Sequence, residues 1–436
     1  MDNNTQNMME KIVALCKRRG FIFPGSDIYG GITGMWDYGP AGSLMRKNIK
    51  DLWWKDNVQL REDMVGVDAA IIMNPRAWDA SGHTQAFSDP LVECKICHLR
   101  FREDKPDEIA AHEKTHKDQK VEWTEPMNFN LLVKTYLGVI EGRQSETYLR
   151  GEITNGVMVN FRNVMDSTRV KIPFGIAQIG KAFRNEITPG GFIFRDREFE
   201  QMETQFFIKP DKEEGEKWFE YWKQNRMDWY VSLGINKDHL QFKDHEKLAH
   251  YAKAATDIEY KYPWGFDEIA GIHHRADWDL SRHQEYSGQN LKVRDHETNE
   301  EYIPWDIETS GGVDRLMLVL LLDAYREEEG RVWLAFSPKI APYKAAVFPL
   351  LGNKPELTEK ARGIYKALQQ EFMVIWDDRG NIGKRYAAQD EIGTPFCITV
   401  DFDTLNDEAV TVRLRDTATQ ERIAISELQT YLKSQI

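Results

Sequence analysis

Four cysteines in 436 residues are too few for a disulfide-stapled secreted scaffold, which uses dense paired thiols in place of a large core. Long apolar runs are missing too. The longest covers residues 316–322, far short of the roughly 20 residues that a bilayer-crossing helix takes. The N-terminal stretch MDNNTQNMMEKIVALCKRRG lacks the apolar segment of a signal peptide. Together these absences point to a cytoplasmic protein with no membrane partner. Positive charge is in deficit: 57 Lys and Arg against 70 Asp and Glu leave a net charge of −13. That balance excludes bulk attraction to nucleic acid and confines any RNA contact to local basic patches sensitive to salt. Two nucleotide-binding signatures are absent as well. There is no Gly-Lys-Ser/Thr phosphate loop, and the glycines crowding residues 25–42 do not fall into a Gly-x-Gly-x-x-Gly spacing. A nucleotide, if used, is held on another scaffold.

What is present fits an ordinary globular chain, with 41% hydrophobic and 29% charged residues and length for roughly three domains. The most ordered stretch is residues 175–208. Two alternating runs flank Thr188-Pro189-Gly190-Gly191, whose residues suit a turn or loop, so an antiparallel hairpin is expected. Period two puts Arg184 and Glu186 on one face of the first arm and Arg195, Arg197, Phe199, Gln201 and Glu203 on one face of the second. A solvated strand laced with salt bridges has a similar composition. A face ordered as cation, cation, aromatic, amide and acid also suits an anionic planar ligand at one end and an ammonium at the other. Arginine donates two parallel charge-assisted hydrogen bonds to phosphate, Phe199 can stack a base, and Glu203 can take the ammonium.

Three further patterns carry chemistry. Cys94-x2-Cys97 and His112-x3-His116 have the spacing of a closed Cys2His2 zinc site, which is structural rather than catalytic; a helix over 106–117 would carry both histidines, and His98 fits less well as a ligand. Asp267 and Glu268 can offer oxygen to a hard cation or form an exposed acidic turn. Residues 305–322 read as a strand ending at Glu308-Thr309-Ser310, a passage at Gly311-Gly312, and an apolar helix starting near Val313. Backbone N–H groups at that helix start, with Arg315 in its first turn, make an anion site. His273 and His274 have no partner pattern. Helices are expected over 8–19, 43–57 and 211–233, and a strand over 64–74. Beyond residue 338 alternating strands and helices (344–350, 358–371, 372–376) read as a separate α/β domain, where Arg379, Lys384, Arg385, Arg413 and Arg415 offer either phosphate contacts or solvated charge.

The wording FRNE (183–186) with RDREFEQME (195–203) resembles motif 2 of class II aminoacyl-tRNA synthetases. Residues 305–322 resemble motif 3, residues 43–75 resemble motif 1, and residues 380–401 resemble the anticodon-binding domain of class IIa enzymes. REFEQME, the CKRRGFIF opening and WDASGHTQAFSDP (78–90) are similar to the homodimeric glycyl type. Two departures stand out: Arg150-Gly151-Glu152-Ile153-Thr154-Asn155-Gly156 where the family has Arg-Pro-Glu-Thr-Ala-Gln-Gly, and Glu308-Thr309-Ser310 where it has Glu-Pro-Ser.

The resemblance covers nearly the whole chain. It implies a mixed α/β (α+β) fold: an antiparallel-sheet catalytic domain flanked by helices over residues 1–337, a zinc-binding insertion over 91–123, and a C-terminal α/β anticodon-binding domain over 338–436. It implies ligation of glycine to tRNA(Gly) with ATP and Mg2+, in a homodimer. By motif matching, Arg184 holds the α-phosphate, Glu186 the adenine amino edge, Phe199 the ring, Arg195 and Arg315 the outer phosphates, and Glu268 the magnesium. Asn185, Phe194, Asp196, Arg197, Glu198, Ile269, Gly312, Val313 and Asp314 complete the implied nucleotide surface. Glu203, Glu308 and Ser310 take the glycine ammonium with Glu152 nearby. Glu200, Gln201, Met202, Thr309, Gly311 and Arg102 are the other implied substrate contacts. The rivals are a non-catalytic paralogue, which is expected to lose the arginines of motifs 2 and 3, and a class IIa synthetase for threonine, proline or histidine.

Overall fold

The computed structural model describes residues 3–117, 119–140, 145–246, 248, 252–295 and 298–436. Its centre is a seven-stranded sheet. In chain order its strands are β1 (Met64–Gly66), β2 (Phe174–Phe183), β3 (Glu198–Ile208), β4 (Leu240–Asp244), β5 (Ala254–Tyr262), β6 (Gly265–Ala276) and β7 (Trp305–Gly312), arranged β4-β5-β6-β7-β3-β2-β1. All neighbours pair antiparallel except β1, which joins β2 in parallel. The expected hairpin is there, with Glu198 opposite Phe183 and Glu203 opposite Gln178. Its connection is longer than a tight turn and contains a 3-10 turn at Phe192–Phe194.

One face of the sheet is covered by α1 (Asn3–Arg19), α2 (Pro40–Trp54), α3 (Lys212–Ser232) and α4 (Val313–Ala324), whose apolar residues merge with those of β3, β5, β6 and β7 in one core. The helix α4 is buried on nearly all sides, which its sequence VDRLMLVLLLDA allows because only its first turn and Asp323 carry charge. The opposite face of β3, β6 and β7 is left open as a cavity.

The expected strand over 64–74 stops at Gly66. Past that point side chains take over the backbone: Gln178 Oε1 accepts the Ala69 N–H at 3.0 Å and the Ala69 carbonyl accepts from Arg150 Nη1 at 2.8 Å. A ladder would have no free partners there. The glycine-rich segment is a loop with short paired strands at Ile22–Pro24 and Trp36–Tyr38. It closes against the hairpin connection. Gly34 has φ +75° and a Cβ there would meet Pro189 at 2.6 Å, so the close approach requires glycine.

Residues 88–130 form an outlying three-stranded sheet (Arg100–Arg102, Ser88–Glu93, Met127–Asn130) with a helix at Pro106–Glu113. That helix ends before His116, where the Thr115 and His116 N–H groups donate to the carbonyls three residues back, His112 at 2.9 Å and Glu113 at 3.2 Å.

The C-terminal unit has its own core. It is a five-stranded sheet of β8 (Ala345–Pro349), β9 (Val374–Trp376), β10 (Phe396–Val400), β11 (Ala409–Leu414) and β12 (Gln420–Ala424), ordered β9-β8-β10-β11-β12 and parallel only among the first three. The helices α5 (Pro355–Leu368) and α6 (Ile382–Ile392) provide the crossovers. Three of its candidate phosphate ligands are structural instead. Arg385 donates to the Pro349 carbonyl, Arg413 grips Asp390 bidentately at 2.8 and 3.0 Å, and Arg415 donates to the carbonyls of Gly393 and Phe336. All three are buried. Arginine's fork reaches carbonyls from several loops at once, which sequence position alone does not reveal. Arg379 and Lys384 remain exposed. Among the described residues no helix is long and apolar enough to cross a membrane.

Candidate active site

The cavity lies over β3, β6 and β7 and is lined, among others, by Arg184, Glu186, Phe194, Arg195, Asp196, Phe199, Gln201, Glu203, Glu268, Glu308, Ser310, Gly311, Gly312, Asp314 and Arg315, with Glu152 and Thr154 at one side. Its two ends carry opposite charge.

At the cationic end, Arg184 donates its Nε–H to the Gly151 carbonyl at 3.0 Å, and its guanidinium sits between the rings of Phe87 (5.3 Å) and Phe199 (5.2 Å). The base of the outlying sheet props this residue. The Asn185 N–H donates to the Leu131 carbonyl at 2.8 Å, and the Leu131 N–H donates to the Phe87 carbonyl at 2.9 Å. Arg315, in the first turn of α4, donates to the Phe194 carbonyl at 3.1 Å and pairs with Glu268 Oε2 at 3.0 Å. That pairing holds the Glu268 carboxyl below its usual range. Asp314 is tied inward: its Oδ2 accepts the Glu200 N–H at 2.7 Å, and Tyr38 and Arg46 bond its other oxygen. Burial and the charge of Asp314 push neighbouring Asp196 up to about 8, while Trp36 Nε1 donates to it at 2.8 Å.

At the acidic end, Glu203 from β3 and Glu308 from β7 meet. Ser310 Oγ donates to Glu203 Oε1 at 2.7 Å, and Gln201 Nε2 donates to the same oxygen at 2.9 Å. Glu308 accepts from His273 Nδ1 at 2.8 Å, Arg275 Nη1 at 3.1 Å and Gln205 Nε2 at 3.1 Å. Arg275 in turn grips Asp279 at 2.7 and 2.9 Å. Glu152 lies 3.3 Å from His83 Nε2. Burial pushes Glu152 and Glu308 upward, yet His83 and Arg275 hold Glu152 below its ordinary value, and Arg275 and His273 do the same for Glu308. Among the described residues Glu203 has no cation within ion-pair distance. Burial, Glu308 and Glu152 push it up to about 8.

The sequence-derived set divides along strand alternation. Phe199, Gln201 and Glu203 face the cavity, while Glu198, Glu200 and Met202 point to the opposite face. There Glu198 pairs with Lys181, Glu200 pairs with Arg46 and Lys50, and Met202 joins the core. Ile269, Thr309 and Val313 are buried away from the cavity. Glu268 lines the cavity and Asp267 does not, because adjacent strand residues point oppositely; Asp267 instead accepts from Trp264 Nε1 at 3.2 Å. The predicted shared face also fails at Arg197. A bend there turns its side chain to the Glu186 and Thr33 carbonyls, while Arg195 and Asp196 both reach the cavity. Arg102 belongs to the outlying sheet, where it pairs with Asp104 at 2.7 Å. His273, Arg275, Gln205, Thr154, His83 and Phe87 were not foreseen. Only the parity of His273 and Arg275 with Gly271 on one strand face could have hinted at the first two.

Outside the cavity, the ligand atoms of Cys94, Cys97, His112 and His116 lie within 4.8 Å of one another and could hold a metal ion. His98 turns away to Glu93 at 2.9 Å.

Comparison with known proteins agrees with this geometry. Residues 137–324 match the tRNA synthetase class II core domain (G, H, P, S and T), and residues 344–435 match the anticodon binding domain. The chain is 52% identical to a glycine–tRNA ligase of Borreliella burgdorferi, over 98% of this chain and 97% of that one. The chain belongs to the glycine–tRNA ligase family. A family member from Caldanaerobacter subterraneus is 51% identical over 98% of both chains, and one from Geobacillus thermodenitrificans is 49% identical over 100% of this chain and 99% of that one.

Proposed function

We infer that the protein is an ATP-dependent glycine–tRNA ligase, forming glycyl-adenylate and passing glycine to the 3′ end of tRNA(Gly). The observation that carries this reading is the convergence of Arg184, Arg315 and Glu268 at one end of a cavity and Glu152, Glu203, Glu308 and Ser310 at the other, in a family member aligned over nearly its full length.

In the first step the glycine carboxylate attacks the α-phosphate and pyrophosphate leaves. Negative charge builds on the five-coordinate phosphorus, where Arg184, fixed by a carbonyl and two rings, is pre-oriented to meet it. Arg195 and Arg315 clamp the outer phosphates, Glu186 meets the adenine amino edge, and Phe199 stacks the ring. Glu268 is the residue that would hold magnesium, which supplies charge neutralisation on the phosphates. The ammonium is bound by Glu203, Glu308 and Ser310, with Glu152 nearby. Carboxylates crowding the α-carbon leave no room for a methyl, so selection against larger amino acids is steric. In the second step a terminal ribose hydroxyl attacks the carbonyl and AMP leaves, with no covalent enzyme intermediate. This reading gives catalysis to residues 1–337 and anticodon contact to residues 338–436.

Zinc suits the four-residue cluster. Tetrahedral zinc with the usual ligand lengths separates sulfur from nitrogen by about 3.6 Å and nitrogen from nitrogen by about 3.3 Å. The contacts here are 3.8 Å (Cys94–His116), 3.4 Å (Cys97–His112) and 3.2 Å (His112–His116). The role is structural, since all four positions are protein ligands. A homodimer in the cytoplasm is the working assembly that the family resemblance supports.

ATP–pyrophosphate exchange with a panel of amino acids tests the reading. Exchange with glycine alone is expected; exchange with a different amino acid, or with none in folded, zinc-loaded protein, refutes it.

A further inference from the structure

Thr154 brings a hydroxyl into the acidic end of the cavity, at one of the positions where this chain departs from the Arg-Pro-Glu-Thr-Ala-Gln-Gly wording. It opens the short helix Thr154–Met158 and is buried. Its Oγ1 lies 2.8 Å from Glu203 Oε2 and 3.1 Å from Glu308 Oε2. A hydroxyl has one proton to donate. That one proton cannot serve both carboxyl oxygens fully, and Gln205 Nε2 lies on the acceptor side of the hydroxyl at 3.5 Å. Two buried carboxyls held this close disfavour the doubly ionised form, so the pair carries one proton between them.

The surrounding groups decide where that proton sits. Facing the pair are Glu152 from the segment before the helix, His273 and Arg275 from β6, Asp306 from β7, and Arg150 beyond β2. The cationic donors converge on Glu308, which accepts from Arg275 and His273. Among the described residues the donors to Glu203 are neutral: Ser310, Gln201, Thr154 and, at 3.4 Å, Gln205. Glu203 is the neutral partner, in agreement with its upward shift to about 8.

We propose that Thr154 is a positioning residue for the amino-acid ammonium: its hydroxyl sets the spacing of Glu203 and Glu308, and an entering ammonium displaces their shared proton to solvent. The hydroxyl then donates to the Glu203 carboxylate. This rests on the reading of the cavity as the glycine site.

The test compares the full-length wild type with Thr154→Val, which keeps the shape and loses the hydroxyl, and Thr154→Ser, which keeps the hydroxyl. Glycine-dependent ATP–pyrophosphate exchange is followed from about pH 6 to pH 9, a range that spans the titration of the pair. In the wild type the glycine KM falls as pH rises and levels near pH 8. Loss of a hydrogen bond to a charged group raises the glycine KM of the valine variant by about tenfold or more and moves the falling limb to higher pH. The kcat and the KM for ATP stay close to wild type, and serine restores glycine binding. Calorimetry of glycine binding to the wild type near pH 7, in buffers of different ionisation enthalpy, reads the proton directly and needs no variant; release approaching one proton is expected. Glycine binding with no buffer dependence, a valine variant with wild-type glycine KM and pH limb, or a serine variant as impaired as valine each overturns the proposal while leaving the glycine site in place. A wild type that exchanges with no glycine overturns both.

Discussion

The two ends of the cavity hold charge by different means. At the cationic end Arg184 and Arg315 lean on backbone carbonyls and aromatic rings, and only Arg315 has a carboxylate partner. At the acidic end the carboxylates are buried and cross-braced by Arg275, His273, Gln205, Ser310 and Thr154. On the proposed reading the difference follows from what each end would bind. Phosphates bring several charges and are met by cations that solvent can partly screen beforehand. An ammonium brings one charge, and its receptor must be desolvated carboxylates whose mutual repulsion is already balanced. Removing a charge from the acidic end should therefore cost folding stability, whereas removing one from the cationic end should cost chemistry.

The sharpest way to break this comparison is Arg275→Met. It strips the cation from buried Glu308 and Asp279 together, and unpaired buried charge costs about 3–5 kcal/mol, to be measured by denaturant unfolding. A loss below about 1 kcal/mol would place that end among ordinary exposed pairs. Next comes Arg184→Ala. Removing one donor from a developing charge lowers the rate by about 10²–10³-fold, read as exchange kcat, with little change in the unfolding midpoint. Equal losses of rate and stability would erase the distinction.

Arg413→Ala carries the comparison into the C-terminal unit. Its partner Asp390 keeps Arg331 at 2.9 Å, so the cost is smaller, about 1–3 kcal/mol, and exchange without tRNA is unaffected. The last test concerns pH. Glu203 holds its proton to about 8 in the folded chain, against about 4.3 when unfolded. Its contribution to stability is thus full below about pH 4 and is lost as pH rises through about 8. Thermal unfolding followed across that window should show a declining midpoint that Glu203→Gln flattens.

Much of the site was legible because strand parity is a local rule. Once Phe199 was placed inward, Gln201 and Glu203 followed, and Glu198, Glu200 and Met202 had to face away. The same rule, applied to Asp267 and Glu268, separates them. It failed at Arg197, where the chain leaves the ladder and alternation no longer applies. Thr154, His273 and Arg275 were given no role because their partners, Glu203 and Glu308, lie on strands distant in the sequence. The C-terminal arginines were misread for a related reason: exposure depends on which loops fold over a residue.

Sequence by itself determined the class of the protein, the order of its two units, the hairpin, the apolar helix after Gly312 and the grouping of four residues that could hold a metal ion, since each rests on short-range spacing or on wording that stays together along the chain. Tertiary structure alone decided which carboxyl is pushed upward by burial and its neighbours, which arginines reach the cavity and how the outlying sheet props Arg184. Those outcomes depend on desolvation and on Coulomb forces between groups far apart in sequence, and neither exists until the strands have been brought side by side.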